Sequence, residues 1–136
     1  MSWTPALVMA RVEECVRVIA RMPAPRAPGY HNLWPDIIPE FSDMVGRKAV
    51  LRRPPPTPDA ITRADEVLGW LCRLPPDDAR ALWKRAEGRP LRQVAAVWGV
   101  CPRTARWRMR VLLTRLATQL EADGVPVRGR PRRRAA

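Results

Sequence analysis

From residue 105 to residue 120 the apolar side chains Ala105, Met109, Leu112, Leu116 and Leu120 recur at intervals of 4, 3, 4 and 4. That spacing marks one face of a long α-helix. The opposite face carries Arg103, Arg106, Trp107 and Arg110. Just upstream, Val94, Ala95 and Trp98 form a shorter stripe that ends at Gly99, a residue able to take the positive φ of a tight turn. Val100 fills the turn, and Pro102 sets φ for the start of the next helix. Two helices joined by so short a turn, the second apolar on one side and cationic on the other, have the form of a helix-turn-helix. In that motif the second helix lies in the major groove of double-stranded DNA. Arg103, Arg106, Trp107 and Arg110 are then candidate groove contacts, Thr104 caps the helix or meets a phosphate, and Arg92 joins them from the first helix.

Charge supports the same end of the chain. The formal net charge of the 136 residues is +12. Residues 1–87 hold 13 basic and 11 acidic side chains, whereas residues 88–136 hold 12 basic and 2 acidic ones. An excess confined to one region is the footprint of a polyanionic partner. All but Lys48 and Lys84 of the 25 basic residues are Arg, whose planar fork suits phosphate and guanine. A GC-rich genome explains the ratio of Arg to Lys, but not its uneven placement.

The remaining punctuation is helical. Thr4-Pro5 and Thr57-Pro58-Asp59 are each an N-cap followed by a first-turn proline. The first predicts a helix to Met22 with Val8, Val12, Cys15, Ile19 and Met22 on one stripe, widened by Leu7, Val16 and Val18. The second predicts a helix to about Leu74, with Ile61, Ala64, Val67 or Leu68, and Leu71 inward. Pro75-Pro76-Asp77-Asp78 opens another, with Ala79, Leu82, Trp83 and Ala86 inward and Gly88 at its end. The proline-rich stretch from Pro23 to Pro35 is an ordered loop carrying Tyr30, Leu33 and Trp34, and a short helix follows at Pro39 to Val45. Trp70, Trp83 and Trp98 belong to the core, while the stripe that buries Met109 turns Trp107 outward.

Residues 125–136 hold Arg128, Arg130, Arg132, Arg133 and Arg134 around a Gly129-Arg130-Pro131 core. Such a tail is AT-hook-like, with Arg entering a narrow minor groove, or else a disordered strand holding phosphate without sequence preference. Residues 1–50 are near neutral and offer a protein-binding surface, or else complete the one core.

Other chemistries lack their residues. Cys15, Cys72 and Cys101 are odd in number and far apart, and read as buried free thiols of a cytoplasmic protein. His31 is the lone histidine and there is no Cys-x-x-Cys, so no metal site and no cofactor is expected. Asp65-Glu66 and Asp77-Asp78 read as first-turn acids or a solvated face, Ser2 and Ser42 have no triad partners, and the chain is not expected to be an enzyme. No apolar run reaches membrane-spanning length, and no signal peptide is evident.

From Leu74-Pro75 through Leu120, with Thr104, Ala105, Met109, Leu112 and Leu116 in register, the chain resembles region four of sigma factors. The resemblance implies base reading at Arg103, Arg106 and Trp107. Sigma region two has no counterpart here, so the chain is not a complete sigma factor. Through Trp34-Pro35, Thr57-Pro58-Asp59-Ala60-Ile61 and Leu74-Pro75-Pro76-Asp77-Asp78-Ala79-Arg80, it also resembles a helix-turn-helix family of alphaproteobacterial prophages and gene transfer agents. That likeness implies transcription control of phage-like genes, with RNA polymerase or a second activator protein as partner.

The sequence therefore predicts a small all-α bundle in three parts. Residues 1–50 are an N-terminal helix and loop, 57–122 a helix-turn-helix domain, and 125–136 a basic disordered tail. The function expected is a DNA-binding transcription regulator, an activator. The alternative is a small terminase subunit that recognises DNA for packaging.

Overall fold

The computed structural model describes residues 2–23 and 53–129, and these are all-helical. In chain order the helices are α1 (Pro5–Arg21), α2 (Pro58–Arg73), α3 (Pro76–Ala86), α4 (Leu91–Trp98) and α5 (Pro102–Ala122). The loop and short helix expected between Pro23 and Val45 lie mostly outside the described residues.

Local chemistry sets most of the boundaries. The Thr4 hydroxyl accepts from the Leu7 N–H at 3.2 Å, and the Thr57 hydroxyl from the Ala60 N–H at 3.4 Å, each ahead of a first-turn proline. Helix α4 ends at Gly99, where φ is 64°, with the Gly99 N–H donating to Ala96 and the Val100 N–H to Ala95. This paired pattern satisfies two carbonyls that the helix end would otherwise orphan, and the left-handed φ is what favours glycine there.

One core serves all five helices. Val8, Val12, Cys15 and Val18 of α1 meet Val67 and Trp70 of α2, Leu82 of α3, Val94 of α4, and Met109, Leu112, Leu116 and Leu120 of α5. Each such side chain contributes about 1.5–3 kcal/mol when fully buried. Trp3 and Trp70 pack edge to face with centroids 5.2 Å apart. Helix α1 lies against α2, α3 and α5, so it is part of this core. It runs antiparallel to α2, since Trp3 meets Trp70 while Glu14 and Cys15 meet Arg63 and Ala64.

The expected α1 stripe needs correction at its far end. Ile19 and Met22 are 39% and 46% exposed, whereas Val18 and Arg11 are buried. Cys15 is level with Ala64, so the last turn of α1 reaches the very start of α2 and has little left to pack against. The thiols need the same treatment. Cys15 is buried and donates to the Ala64 carbonyl at 3.6 Å, but Cys72 and Cys101 are exposed. Cys72 lies just past Leu71 on the outer side of α2, and Cys101 lies in the turn before α5.

Residues 125–129 also differ from the disordered tail expected there. A turn at Gly124, with φ of 65° and the Val125 N–H donating to Leu120, sends the chain back along the bundle. Val125 and Val127, two residues apart, both pack on the core. The Trp3 indole N–H donates to the Val125 carbonyl at 2.8 Å, and the Trp3 backbone N–H to the Glu121 carboxylate. Arg11, only 2% exposed, donates through Nη2 to the carbonyls of Arg128 and Gly129 and through Nη1 to Glu14 at 3.0 Å. Glu14 takes a second arginine, with Arg63 Nη2 at 2.7 Å and Nε at 3.1 Å. The segment is strapped down by a buried guanidinium that reaches two of its carbonyls.

Candidate functional site

The first three turns of α5 leave one face free because the helix buries only its other side. Ala105, Met109 and Leu112 face inward, and the 100° step per residue then carries Arg103, Trp107 and Arg110 outward. Arg103, Arg106 and Arg110 are exposed, and Trp107 is 65% exposed. A tryptophan left so open on a surface of arginines lacks a packing role within the described residues. Arg92, in the first turn of α4, is exposed as well. None of these five arginine and tryptophan side chains is held by an ion pair or side-chain hydrogen bond among the described residues.

A neighbouring arginine behaves otherwise. Asp78 in α3 accepts from the Trp98 indole N–H at 2.9 Å and from Arg108 Nη2 at 3.4 Å. The Arg108 guanidinium also stands over the Trp98 ring, 4.9 Å from its centroid. One carboxylate thus ties α3, α4 and α5 together and fixes the rotation of α5 about its axis. Reading Asp78 as a solvated first-turn acid missed this. An indole N–H needing a partner was the available signal.

Of the two roles expected of Thr104, the helix cap is not what the structure shows. Cys101 is the N-cap of α5, no side chain caps the helix, and the Thr104 hydroxyl sits 3.1 Å from the Cys101 sulfur. That hydroxyl, then the backbone N–H groups beside it, hold the exposed Cys101 thiol below its ordinary 9.0. Burial acts in the opposite direction on Cys15, pushed up to about 11 with further help from the charges of Asp65 and Glu14.

Arg128 stands apart from the α5 group. Its carbonyl is held by Arg11 and its guanidinium lies 3.6 Å from Glu66 of α2. Arg130, Arg132, Arg133 and Arg134 lie outside the described residues. Two arginines that sequence reasoning left out matter to the arrangement. Arg11 sits on the 11–15–18 stripe of α1, so its helical spacing alone marked it as buried. Arg85 of α3 faces, with Arg106 and Arg110, a cleft of about 440 Å³ floored by Met9, Leu91, Met109 and Leu113.

No helix among the described residues is long and apolar enough to cross a membrane. No curated protein and no solved structure matches the chain. A family model described as a domain of unknown function (DUF6362) matches residues 20–116, and the chain belongs to that family. The match takes in α2, α3, α4 and the arginine-bearing part of α5, and leaves Arg11 and the strap outside it.

Proposed function

We propose that α4, the turn at Gly99 and α5 form a helix-turn-helix, and that the chain is a sequence-specific DNA-binding regulator of transcription. The observation that carries this reading is Trp107, open to solvent between Arg103, Arg106 and Arg110 on the side of α5 opposite its buried stripe. Its support is physical. A helix can enter a major groove only if its outer face is free of the bundle, and cationic side chains without internal partners are available to DNA. The Arg108–Asp78–Trp98 tie adds rigidity to the element that would do the reading. The genes under control are phage-like by the resemblance stated above, with activation through RNA polymerase as the expected mode.

Selection from a random duplex library tests the proposal. The wild-type chain is expected to enrich one sequence, and a variant with Arg103→Ala and Trp107→Ala to enrich none. Each bidentate Arg–guanine pair contributes about 1–3 kcal/mol of discrimination. Enrichment of the same sequence by the double variant would remove α5 as the reading helix. Absence of any enrichment by the wild type would remove sequence-specific recognition altogether.

A further inference from the structure

Resting on the DNA reading above, we infer that Arg85, Arg106 and Arg110 form a seat for a phosphate group, the DNA backbone being its source. The four outward residues at the start of α5 therefore do two jobs. Arg103 and Trp107 are four apart and stand at the crest of the helix, opposite Ala105 and Met109. Arg106 and Arg110 are also four apart but lie round the helix on the flank that faces α3, where Arg85 completes the rim. Three guanidinium groups from two helices surround one cleft, and among the described residues no carboxylate lines it. Like charges gathered without an acid repel one another, and an anion between them relieves the repulsion. The planar forks suit the tetrahedral oxygens of a phosphate, which can accept from more than one guanidinium at once.

The shape of the cleft fits the same ligand. Its volume of about 440 Å³ exceeds what a bare phosphate needs. Met9, Leu91, Met109 and Leu113 give it an apolar floor against which the carbon face of a deoxyribose can lie. Leu91 is the first residue of α4, and no side chain caps that helix, so the positive end of its dipole opens at the same place. Arg106 immediately precedes Trp107. A strand with one phosphate seated here runs beside the crest of α5, and the contact fixes how far along the groove Arg103 and Trp107 reach. Arg85 is thus assigned a binding role, and Arg106 is assigned to positioning rather than base reading.

The test uses the full chain and a duplex carrying the selected sequence, with a scrambled duplex of equal length beside it. Affinity is followed by fluorescence anisotropy across a range of potassium chloride concentrations. Arg85→Ala is expected to weaken both duplexes equally and to flatten the logarithmic salt dependence by about 0.9, the release of one counterion. Arg85→Lys, which keeps a point charge, is expected to restore the slope. Arg103→Ala is expected to narrow the gap between the duplexes. An unchanged slope in Arg85→Ala, with wild-type binding intact, overturns the seat and leaves the DNA reading standing. If the wild type binds neither duplex, the DNA reading fails, and inorganic phosphate is titrated against the arginine Nε–H resonances. Shifts at Arg85, Arg106 and Arg110 would then keep the seat for a free phosphate ester, and their absence would overturn it.

Discussion

Arg11 and Arg103 are the same side chain in opposite circumstances. Arg11 is closed in by Glu14 and by the carbonyls of Arg128 and Gly129 at one side of the bundle. Arg103 projects from the first turn of α5 and touches no acid among the described residues. Arg63 and Arg128 belong with the first, paired to Glu14 and Glu66, while Arg85, Arg106 and Arg110 belong with the second. A count of arginines therefore says little about a partner until the internally satisfied ones are set aside. The first group holds the fold, and the second has no ion pair among the described residues.

The strongest challenge to this division is to remove the helix that bears Arg11. A fragment of residues 53–136 loses Val8, Val12, Cys15 and Val18 from the core and bares Val67, Trp70 and Leu116. It is expected to show no cooperative thermal transition by circular dichroism. A sharp transition would mean that α1 decorates an independent unit.

Next in size is Arg11→Ala, which strips the Arg128 and Gly129 carbonyls of their donor and leaves the strap the Trp3 bond to Val125. The loss is put at about 3 kcal/mol, the lower end for a broken buried pair, because Glu14 keeps Arg63. Arg103→Ala should change stability by no more than about 0.5 kcal/mol. Urea denaturation of the two variants side by side reads the contrast directly, and equal losses would erase it.

A pH titration sharpens the same contrast. Burial alone raises the Glu14 carboxyl, but the hydrogen bonds and charges of Arg63 and then Arg11 outweigh it and leave it below its ordinary 4.5. A lowered carboxylate stabilises the fold fully above the ordinary value, and that contribution is lost as pH falls through the lowered one. Glu14→Gln is therefore expected to flatten the acid limb of the stability curve, and a substitution on the outer face of α5 is not.

The smallest effect is chemical. Under native conditions a thiol reagent at pH 7–8 should modify Cys101 first, Cys72 more slowly, and Cys15 only on unfolding. Mass spectrometry of the modified peptides gives the order. Early modification of Cys15 would contradict the closed packing of α1.

What the sequence made legible was local. Thr4-Pro5, Thr57-Pro58, Gly99 and the 105–120 stripe act through neighbours within one or two helical turns, and the helices begin and end where these residues direct. Trp107 faced outward for the same reason, since the phase of a regular stripe fixes the opposite side. The strap was hidden because its bonds join residues more than 110 apart. An arginine is ordinarily solvated, so position 11 looked polar despite its place on the stripe. Val125 and Val127 carried the remaining clue, a two-residue alternation too short to register beside the arginines that follow. The cleft at Arg85 needed four helices in place before it existed.

The strap also sets an order of events during synthesis. Helix α1 leaves the ribosome before every other described helix, yet its indole and guanidinium partners at Val125, Arg128 and Gly129 emerge after all of them. Until then Trp3 and Arg11 lack those carbonyl partners, and α1 lacks the α5 side of its core. The bundle cannot close from its beginning onward, as chains built of neighbouring contacts do. The first of the described helices is completed last, so the growing chain presents an unfinished apolar surface until the strap has emerged.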